Sequence, residues 1–324
     1  MIHYFLINPV SFVRREHLLS RIISDIEAAF TDMPREHTFK IAVSQRPRAA
    51  HTIFHKFMEK IPVTETVRVY AVGGDGILFD CLNAIIDYPN TQLAAIPYGT
   101  TNDYIRSIGE GLKPVFRDIP RQMSARMLET DLLDCGGMMA MNMVMVGIEA
   151  YALQEVYRAV TAISPSQQSR IFGLLSVMSG AKVMFDKDVM AREYTCLVDG
   201  EPRTGKYSNI SVINAGYYGG VFFSNKHATP DDGYLHVVFC NETSPYRLIP
   251  AILKYTRGGF EAYPNMFEYV KCREIQIQSD HAFPAGIDGE QFWTSGLHIR
   301  NIKGAIRFAD PTGLGYRRRD TSVS

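Results

Sequence analysis

The sequence has 324 residues, a length that suits two domains, and its 46% apolar and 21% charged content is ordinary for a globular protein. Its net charge of zero argues against a nucleic-acid-binding function that relies on a basic surface. The five cysteines lack a Cys-x-x-Cys pair, and no long apolar run predicts a membrane-spanning helix. These properties favour a cytoplasmic protein with reduced thiols, which would reach any membrane from its surface.

Strands and helices alternate along the first 125 residues. Short apolar runs at residues 3–7, 39–43, 67–72 and 92–97 predict buried strands, and helical spacing of apolar residues predicts helices at 14–30 and 49–59. Short connections between such elements are typical of a parallel, doubly wound α/β sheet of the Rossmann-like kind.

A glycine-rich turn follows the third predicted strand. Gly73, Gly74, Asp75 and Gly76 stand between that strand and an apolar helical pattern. A turn that opens a helix presents unpaired N–H groups at the positive end of the helix dipole, which favours phosphate binding. Asp75 adds a carboxylate where Mg²⁺ could bridge to that phosphate. A plain βα turn is the alternative interpretation.

Polar residues also follow the other predicted strands. Asn8 and Ser11 follow the first strand, Ser44 follows the second, and residues 100–103 (Thr-Thr-Asn-Asp) follow the fourth. Ligands of open α/β sheets bind outside the carboxyl ends of the strands, so these residues predict one shared binding edge.

The pattern changes near residue 125. Residues 138–148 form a Met-rich apolar run that predicts a buried strand, and the pattern of residues 151–187 predicts a largely helical segment with a break at 164–166. From residue 194 onward, short alternating runs predict a β-sandwich or partly open barrel, interrupted by a helix at 246–255. The predicted domains are therefore 1–125 and 126–310, with a helical insert at about 151–187 and a tail at 311–324.

An ordered set of motifs resembles the diacylglycerol kinase catalytic domain family, whose bacterial soluble members also resemble sphingosine and ceramide kinases. The motifs span nearly the whole chain. They are Ile7-Asn8-Pro9-Val10-Ser11, Gly73-Gly74-Asp75-Gly76, Pro97-Tyr98-Gly99-Thr100-Thr101-Asn102-Asp103, Ala228-Thr229-Pro230-Asp231-Asp232-Gly233-Tyr234-Leu235, Asp288-Gly289-Glu290 and Ile306-Arg307-Phe308-Ala309-Asp310-Pro311.

The resemblance implies a kinase that moves the γ-phosphoryl group of ATP to a lipid hydroxyl, most simply that of diacylglycerol. It implies an α/β nucleotide-binding domain followed by a β-sandwich domain for the lipid substrate, with the active site in the cleft between them. The implied ATP-binding residues are Asn8, Pro9, Ser11, Ser44, Gly73, Gly74, Asp75, Gly76, Thr100 and Thr101. Asp75, Asp103 and Asp134 would surround the catalytic Mg²⁺, as three carboxylates near phosphate require a cation.

The string Asp-Gly-Glu occurs twice. Residues 199–201 are most simply a hairpin turn between two predicted strands, and residues 288–290 fit the same local pattern. By resemblance, Asp288 or Glu290 is the general base that takes the proton from the lipid hydroxyl, and the choice between them stays open.

Thr229, Asp232 and Tyr234 resemble a loop that binds a structural Mg²⁺ or Ca²⁺ through one carboxylate and two backbone carbonyls, and an Asp-Gly turn explains them equally well. The sequence also departs from the family pattern. Ile77 replaces the usual Thr after the glycine-rich turn, Phe12 replaces a Gly, and Glu149 replaces an Asp. These changes predict a narrower nucleotide approach and bear on the identity of the substrate.

Other functions remain as alternatives. A NAD kinase or phosphofructokinase-like enzyme would share the glycine-rich turn, and a non-catalytic nucleotide-binding, lipid-sensing protein would explain Ile77 and Phe12. Walker A, Gly-x-Gly-x-x-Gly and protein-kinase motifs are absent from the sequence. The expected partners are ATP, a lipid with a free hydroxyl and a second copy of the chain. Residues 217–223 are a candidate apolar lipid entry at the inner face of the membrane, and a turn packed in the sandwich core is the alternative and commoner interpretation of such residues.

Overall fold

The computed structural model describes residues 1–12, 16–31, 33–44, 49–161 and 165–317, and it divides them into two compact units. Unit 1 contains Met1–Thr130 and Gly304–Arg317, and unit 2 contains Asp131–Lys303. Half of the predicted tail, residues 318–324, and residue 164 of the predicted helix break lie outside the described residues.

The helices are distributed over both units. They are α1 Glu16–Thr31, α2 Ala50–Met58, α3 Asp75–Ile85, α4 Lys113–Phe116, α5 Ile119–Met123, α6 Ile148–Thr161, α7 Pro165–Val183, α8 Lys187–Met190 and α9 Pro245–Tyr255. Single turns of 3-10 helix occupy Pro9–Phe12, Tyr104–Ser107 and Phe260–Ala262.

The strands include several long and fully buried members. They are β1 Ile2–Ile7, β2 Thr38–Val43, β3 Val67–Gly73, β4 Thr91–Pro97, β5 Arg126–Asp134, β6 Met139–Ala140, β7 Met143–Gly147, β8 Glu193–Val198, β9 Glu201–Pro202, β10 Gly205–Lys206, β11 Asn209–Ile213, β12 Tyr217–Tyr218, β13 Phe222–Phe223, β14 Leu235–Cys240, β15 Phe267–Cys272, β16 Glu274–Ile287 and β17 Glu290–Asp310.

Unit 1 is built on a parallel sheet in the order β2-β1-β3-β4. Alternate side chains of each strand point to opposite faces, so helices cover both. On one face Phe5 and Ile7 pack with Ile22 and Ile26 of α1, and on the other face the ring of Tyr4 packs on Phe54 of α2. The doubly wound α/β architecture predicted from the alternating pattern is confirmed for this unit.

The closing strand also belongs in part to unit 1. Residue Phe308 near the end of β17 pairs in parallel with Leu93 of β4, and Phe308 is fully buried. Its ring packs against Tyr104 and Phe116 of the same unit. The C-terminal part of the chain therefore completes the core of the N-terminal unit.

Unit 2 contains an antiparallel sheet in the order β15-β14-β11-β7-β16-β17, with β8 paired to β16. The predicted single strand at 138–148 is instead two strands, β6 and β7, because Met141 and Asn142 turn their N–H groups toward Asp288. Among the short runs after residue 194, those at 297–302 and 305–308 predict two separate strands, but both belong to one continuous strand, β17. Among the described residues, no helix combines the length and the apolar character needed to cross a membrane.

Candidate active site

The carboxyl ends of the parallel strands of unit 1 meet at one edge. Asn8 N–H donates to Val72 O of β3 at 3.0 Å, and Ser44 N–H donates to Ile7 O of β1 at 2.9 Å. A Cβ atom on Gly73 would lie 3.0 Å from Ser11 Oγ and 3.3 Å from Asn8 Cβ. The residues predicted from separate strand ends are therefore neighbours. Pro9 opens the 3-10 turn that carries Ser11.

Two glycines allow the turns after β3 and β4 to touch. A Cβ atom on Gly99 would lie only 2.2 Å from Gly74 Cα, a distance that no side chain tolerates. Tyr98 N–H and Gly99 N–H each donate to Gly73 O at 2.8 Å, and Asn102 Nδ2 donates to the same oxygen at 2.9 Å. The glycine-rich turn is thus fixed in place by the Tyr-Gly-Thr-Thr-Asn-Asp string that follows β4.

Asp75 is the first residue of α3 and its carboxylate is held from two sides. Thr101 Oγ1 donates to Oδ2 at 2.6 Å, and the Asp103 N–H donates to Oδ1 at 2.8 Å. Asp75 is half-buried and Gly76 beside it is exposed, so the start of α3 faces solvent. Thr101 was predicted to bind the nucleotide, and in the structure its hydroxyl orients the Asp75 carboxylate.

Basic side chains surround this turn, which the sequence interpretation did not identify. Lys113 Nζ donates to Thr100 O at 3.0 Å, and Arg106 forms an ion pair with Asp103 at 3.4 Å. Burial lowers the pKa of Lys113 and the nearby Asp75 charge opposes that shift, with a net lowering. The only sign of these side chains in the sequence is that cations recur within fifteen residues after Asp103. Cations there favour an anionic ligand.

Two departures from the family pattern point inward. Ile77 is buried, and its Cγ2 methyl would lie 2.9 Å from a Cβ atom on Gly73. Phe12 is buried as well, with its ring 5.3 Å from the Tyr98 ring. Both side chains therefore fill the interior of unit 1 beneath the strand ends.

In unit 2, Asp288 and Gly289 form a two-residue hairpin turn between β16 and β17. Both have positive φ angles, 48° and 87°, as a type I′ turn requires, and Ile287 pairs with Glu290 across it. The Asp288 carboxylate accepts hydrogen bonds from the N–H groups of Met141, Asn142 and Met143 at 2.6, 2.9 and 2.9 Å. Its oxygens are directed at the backbone N–H groups of residues 141–143, where β7 begins.

Glu290 is the first residue of β17 and is half-buried. The preceding Gly289 O accepts a hydrogen bond from Tyr157 Oη of α6 at 2.6 Å, a contact that the sequence did not predict. The other Asp-Gly-Glu string forms the same kind of turn, in which Asp199 Oδ1 accepts from the N–H groups of Arg273 and Glu274. The hairpin predicted at 199–201 is present.

Asp134 of unit 2 has extensive contacts of its own. Its Oδ1 accepts from the N–H groups of Gly136 and Gly137 at 3.1 and 2.9 Å, and its Oδ2 pairs with Arg300 at 2.6 Å. Burial raises the pKa of Asp134, but these hydrogen bonds and the Arg300 charge outweigh it, so the net pKa is lowered. An anionic Asp134 is thus compensated by Arg300.

The loop predicted to hold a structural metal contains Thr229, Asp232 and Tyr234. Asp232 Oδ2 lies 2.8 Å from His236 Nε2 and 3.2 Å from Lys271 Nζ, and the Lys271 ammonium also lies 4.1 Å from the centre of the Tyr234 ring. Burial raises the pKa of Asp232, while His236 and Lys271 lower it further than burial raises it. A protein cation already balances this carboxylate, so the donor set fits a divalent ion poorly.

The Asp75 carboxylate fits a catalytic cation better. Mg²⁺ is commonly held by one or two carboxylates together with substrate phosphates and water, so the single carboxylate of Asp75 is sufficient. Within the described part of the chain, no three His, Cys, Asp or Glu side chains converge into a ready-made metal site. Any magnesium at Asp75 would therefore depend on ligands that arrive with the nucleotide.

The family models and known relatives agree with this architecture. Residues 3–133 match the diacylglycerol kinase catalytic domain, and residues 143–309 match the YegS C-terminal NAD kinase beta sandwich-like domain. The chain is 23% identical over 286 residues to "Probable lipid kinase YegS-like" of Pseudomonas fluorescens strain Pf0-1, which covers 88% of each chain. A relative of the same name from strain Pf-5 is 25% identical over 242 residues, covering 74% of this chain and 76% of the relative.

Solved structures show the same fold. The crystal structure of a diacylglycerol kinase from Bacillus anthracis strain Sterne superposes with a TM-score of 0.67 at 20% identity, covering 95% of this chain and 96% of that chain. Another structure from this organism reaches a TM-score of 0.71 at the same identity. A Rossmann-like α/β domain followed by a β-sandwich domain is therefore the fold, as predicted. The two family matches, at residues 3–133 and 143–309, together span most of the sequence. The chain belongs to the lipid-kinase-like family that joins a diacylglycerol kinase catalytic domain to a YegS-type C-terminal domain.

Proposed function

We propose that the protein is an ATP- and Mg²⁺-dependent lipid kinase that transfers the γ-phosphoryl group to a lipid hydroxyl, with diacylglycerol as the substrate and phosphatidic acid as the product. The observation that carries this proposal is the strand-end site of unit 1, where Asp75 is oriented by Thr101 and Asp103 at the start of α3. The names of the relatives support a lipid as acceptor.

Unit 1 supplies the groups that would bind the nucleotide. The N–H groups at the start of α3 lie at the positive end of its dipole and suit a phosphate. Asn8, Ser11, Ser44 and Thr100 offer polar atoms around the same edge, and Lys113 adds a positive charge beside Thr100. Asp75, with Asp103 as its neighbour, would hold the Mg²⁺, which when bound neutralises charge on the transferring phosphoryl group.

Glu290 is our candidate for the general base, and the Asp288 carboxylate anchors the turn that leads into Glu290. A base must direct a lone pair at the substrate hydroxyl, whereas the Asp288 oxygens accept three backbone hydrogen bonds from residues 141–143. In the proposed step Glu290 takes the hydroxyl proton as the lipid oxygen forms a bond to the γ-phosphorus. The bond from that phosphorus to the β–γ bridging oxygen breaks, and ADP leaves with the electron pair.

The first test is phosphorylation of a lipid panel with labelled ATP, with and without Mg²⁺. We expect label in the lipid fraction from diacylglycerol micelles and none when Mg²⁺ is chelated. NAD and fructose 6-phosphate belong in the same panel, because label in either would replace the lipid assignment. ATP binding without turnover on every acceptor would contradict the proposal as well.

Two variants test the assigned residues against a matched control. We expect Asp75→Asn to lower kcat by roughly 100-fold or more, and Glu290→Gln by about 10²–10⁴-fold, which are the usual effects of losing an electrostatic group and a general base. Glu201→Gln changes the same residue type in the equivalent hairpin of β8 and β9, and its activity should match the wild type. Full activity of Asp75→Asn would refute the site.

A further inference from the structure

Helix α7 carries an exposed apolar stripe along the part whose side chains are described. Leu174, Val177 and Met178 are exposed large apolar side chains, and Phe185 just beyond the helix end is exposed too. Their spacing of i, i+3, i+4 and i+11 places them on one side of a helical path. The stripe therefore runs along this side of α7, and Phe185 lies beyond the helix end on the same side.

Helix α9 carries an equivalent stripe. Tyr246, Ile249 and Leu253 are exposed at the helical spacing i, i+3 and i+7, with Pro250 exposed between them. The rings of Phe185 and Tyr246 are 5.9 Å apart in an edge-to-face arrangement, which joins the end of the first stripe to the start of the second. We call the two stripes together the α7–α9 face.

Both helices are already anchored through their other sides. Val183 and Met184 at the end of α7 share a buried cluster with Leu248, Ala251 and Tyr255 of α9. The outer apolar residues are thus additional to those that the core requires. Of the fifteen large apolar side chains that are exposed in the described part of the chain, seven lie on the α7–α9 face. Such clustering marks an interaction surface rather than scattered exposure.

Exposed cations outnumber exposed carboxylates on this face. The sequence from Ser244 to Gly259 contains Arg247, Lys254 and Arg257 and no acidic residue. Two of the cations near this face pair with carboxylates, and in both pairs the cation is the more exposed partner. Arg247 is 66% exposed against 9% for Glu242, and Lys182 is 73% exposed against 24% for Glu155. Asp186 and Asp188, on either side of Lys187, are the exposed carboxylates beside Phe185.

We propose that the α7–α9 face docks on the surface of an anionic lipid bilayer, with the apolar stripes in the headgroup region and the cations at lipid phosphates. Apolar and aromatic side chains flanked by Lys and Arg are the combination that interfacial helices use. The choice of a bilayer as the occupant rests on the proposed function, because a diacylglycerol substrate resides in a membrane.

The expected contact at residues 217–223 is a weaker candidate for this role. These residues form the hairpin of β12 and β13, in which Tyr217 is buried with its ring 4.7 Å from the Phe223 ring. A Cβ atom on Gly258 would lie 2.9 Å from Phe223, so this ring is packed against the backbone of the unit. Val221 is the residue of the hairpin that is exposed and apolar. The hairpin therefore turns most of its apolar surface inward.

The test is co-sedimentation of the full chain with vesicles of phosphatidylcholine and phosphatidylglycerol, and with vesicles of phosphatidylcholine alone. We expect binding to the mixed vesicles that weakens with added salt. Leu253→Glu should weaken this binding by roughly tenfold or more, because it removes one inserted side chain and adds a repelled charge. Lys254→Glu provides a second variant that leaves the apolar stripe intact, and it should weaken binding and reduce the salt dependence.

Val63→Glu is the matched control, since Val63 is 69% exposed in unit 1 and Leu253 is 56% exposed on the face. The control should bind as the wild type does, and the Tm of each variant checks that it folds. Equal binding by all variants, or no binding by the wild type, would overturn the proposal. So would a dimer in light scattering that Leu253→Glu converts to a monomer without a change in vesicle binding. Sedimentation needs no ATP, so binding without lipid phosphorylation would support this surface and contradict only the proposed function.

Discussion

His3 illustrates how burial of one residue couples unit 1 to pH. Its ring is fully buried on β1, with Nδ1 2.7 Å from Tyr70 Oη and Nε2 2.9 Å from His37 Nδ1. Burial, followed by the charges of Arg68, His37 and the N-terminus, lowers the pKa of His3 from 6.5 to about 3. The folded state therefore holds this imidazole neutral, whereas the unfolded chain protonates it below pH 6.5.

This difference predicts acid destabilisation of unit 1. The contribution of His3 is fully present above pH 6.5 and is lost progressively as the pH falls toward 3, because the unfolded state binds a proton that the folded state does not. In His3→Asn the free energy of unfolding should fall less steeply over this window, by up to about 1.4 kcal/mol per pH unit. Urea denaturation at pH 7, 5.5 and 4.5 measures the slope; His17→Asn, at an exposed position of α1, should keep the wild-type slope.

Lys271 makes a second prediction at the residue scale. Its ammonium balances Asp232 in the loop that resembles a metal site, so the wild-type Tm should not change with EDTA or added Ca²⁺. Lys271→Met should lower the free energy of unfolding by about 1 kcal/mol or less, since Lys271 is partly exposed, and Ca²⁺ should then stabilise the variant. Because the pKa of Asp232 is lowered in the folded state, the pairing contributes to stability at a pH above the ordinary pKa of an aspartate. This contribution is lost as the pH falls through the lowered pKa.

Thermal unfolding in the presence of EDTA or Ca²⁺ measures the predicted changes in Tm. Lys226→Met is the control, because Lys226 pairs with Glu261 at 2.8 Å with similar exposure and lies outside residues 229–234. A wild-type Tm that falls in EDTA and recovers with Ca²⁺ would restore the metal role of Thr229, Asp232 and Tyr234.

At the scale of elements, local pattern predicted most of unit 1 and less of unit 2. The strands at 3–7 and 67–72 were predicted within one residue of β1 and β3, since fully buried parallel strands have continuous apolar runs. The run at 138–148 has the same appearance, yet Asp288 accepts the N–H groups of Met141 and Asn142 and separates β6 from β7. A partner nearly 150 residues away leaves no trace in the local sequence.

The two Asp-Gly-Glu hairpins show the same limit for the candidate site. Asp199 and Asp288 have the same φ of 48°, and each accepts backbone hydrogen bonds from a distant segment. Sequence predicts the turn in both cases, because Asp-Gly favours positive φ at both central positions. What differs is the segment that each turn joins, and that depends on the tertiary fold.

The contact between the turns after β3 and β4 gives a prediction at this scale. Gly99→Ala would place a Cβ atom 2.2 Å from Gly74 Cα, so the two turns must separate and Thr101 must move from Asp75. We expect ATP binding to weaken by at least about tenfold, the effect of roughly 1.4 kcal/mol of lost interaction. Isothermal calorimetry measures the Kd.

Gly180→Ala is the control for this change. Its Cβ would meet no atom within 4 Å, and alanine in the helix α7 should stabilise the fold by about 0.5–1 kcal/mol with ATP affinity unchanged. Unaltered ATP binding by Gly99→Ala would show that the close approach of the two turns does not shape the nucleotide site.

At the scale of the whole molecule, the chain leaves unit 1 at Thr130 and returns to it at Gly304. Nothing in the local sequence of residues 304–317 marks this return, because β17 runs without interruption from Glu290 to Asp310. Phe308 and Ala309 are fully buried in unit 1, so the stability of this unit depends on residues of the closing strand.

Truncation of Phe308 tests this dependence. Phe308→Ala removes a buried ring that packs on Tyr104 and Phe116 and should cost about 3–5 kcal/mol of unfolding free energy, with a smaller loss for Phe308→Leu. Hydrogen–deuterium exchange locates the damage. Exchange should rise in β3 and β4 while β14 and β15 keep their protection, because local opening follows the core that loses its contacts. The ATP affinity of Phe308→Ala should also fall. A rise in exchange confined to β14 and β15, with ATP affinity at the wild-type value, would mean that the closing strand supports unit 2 instead.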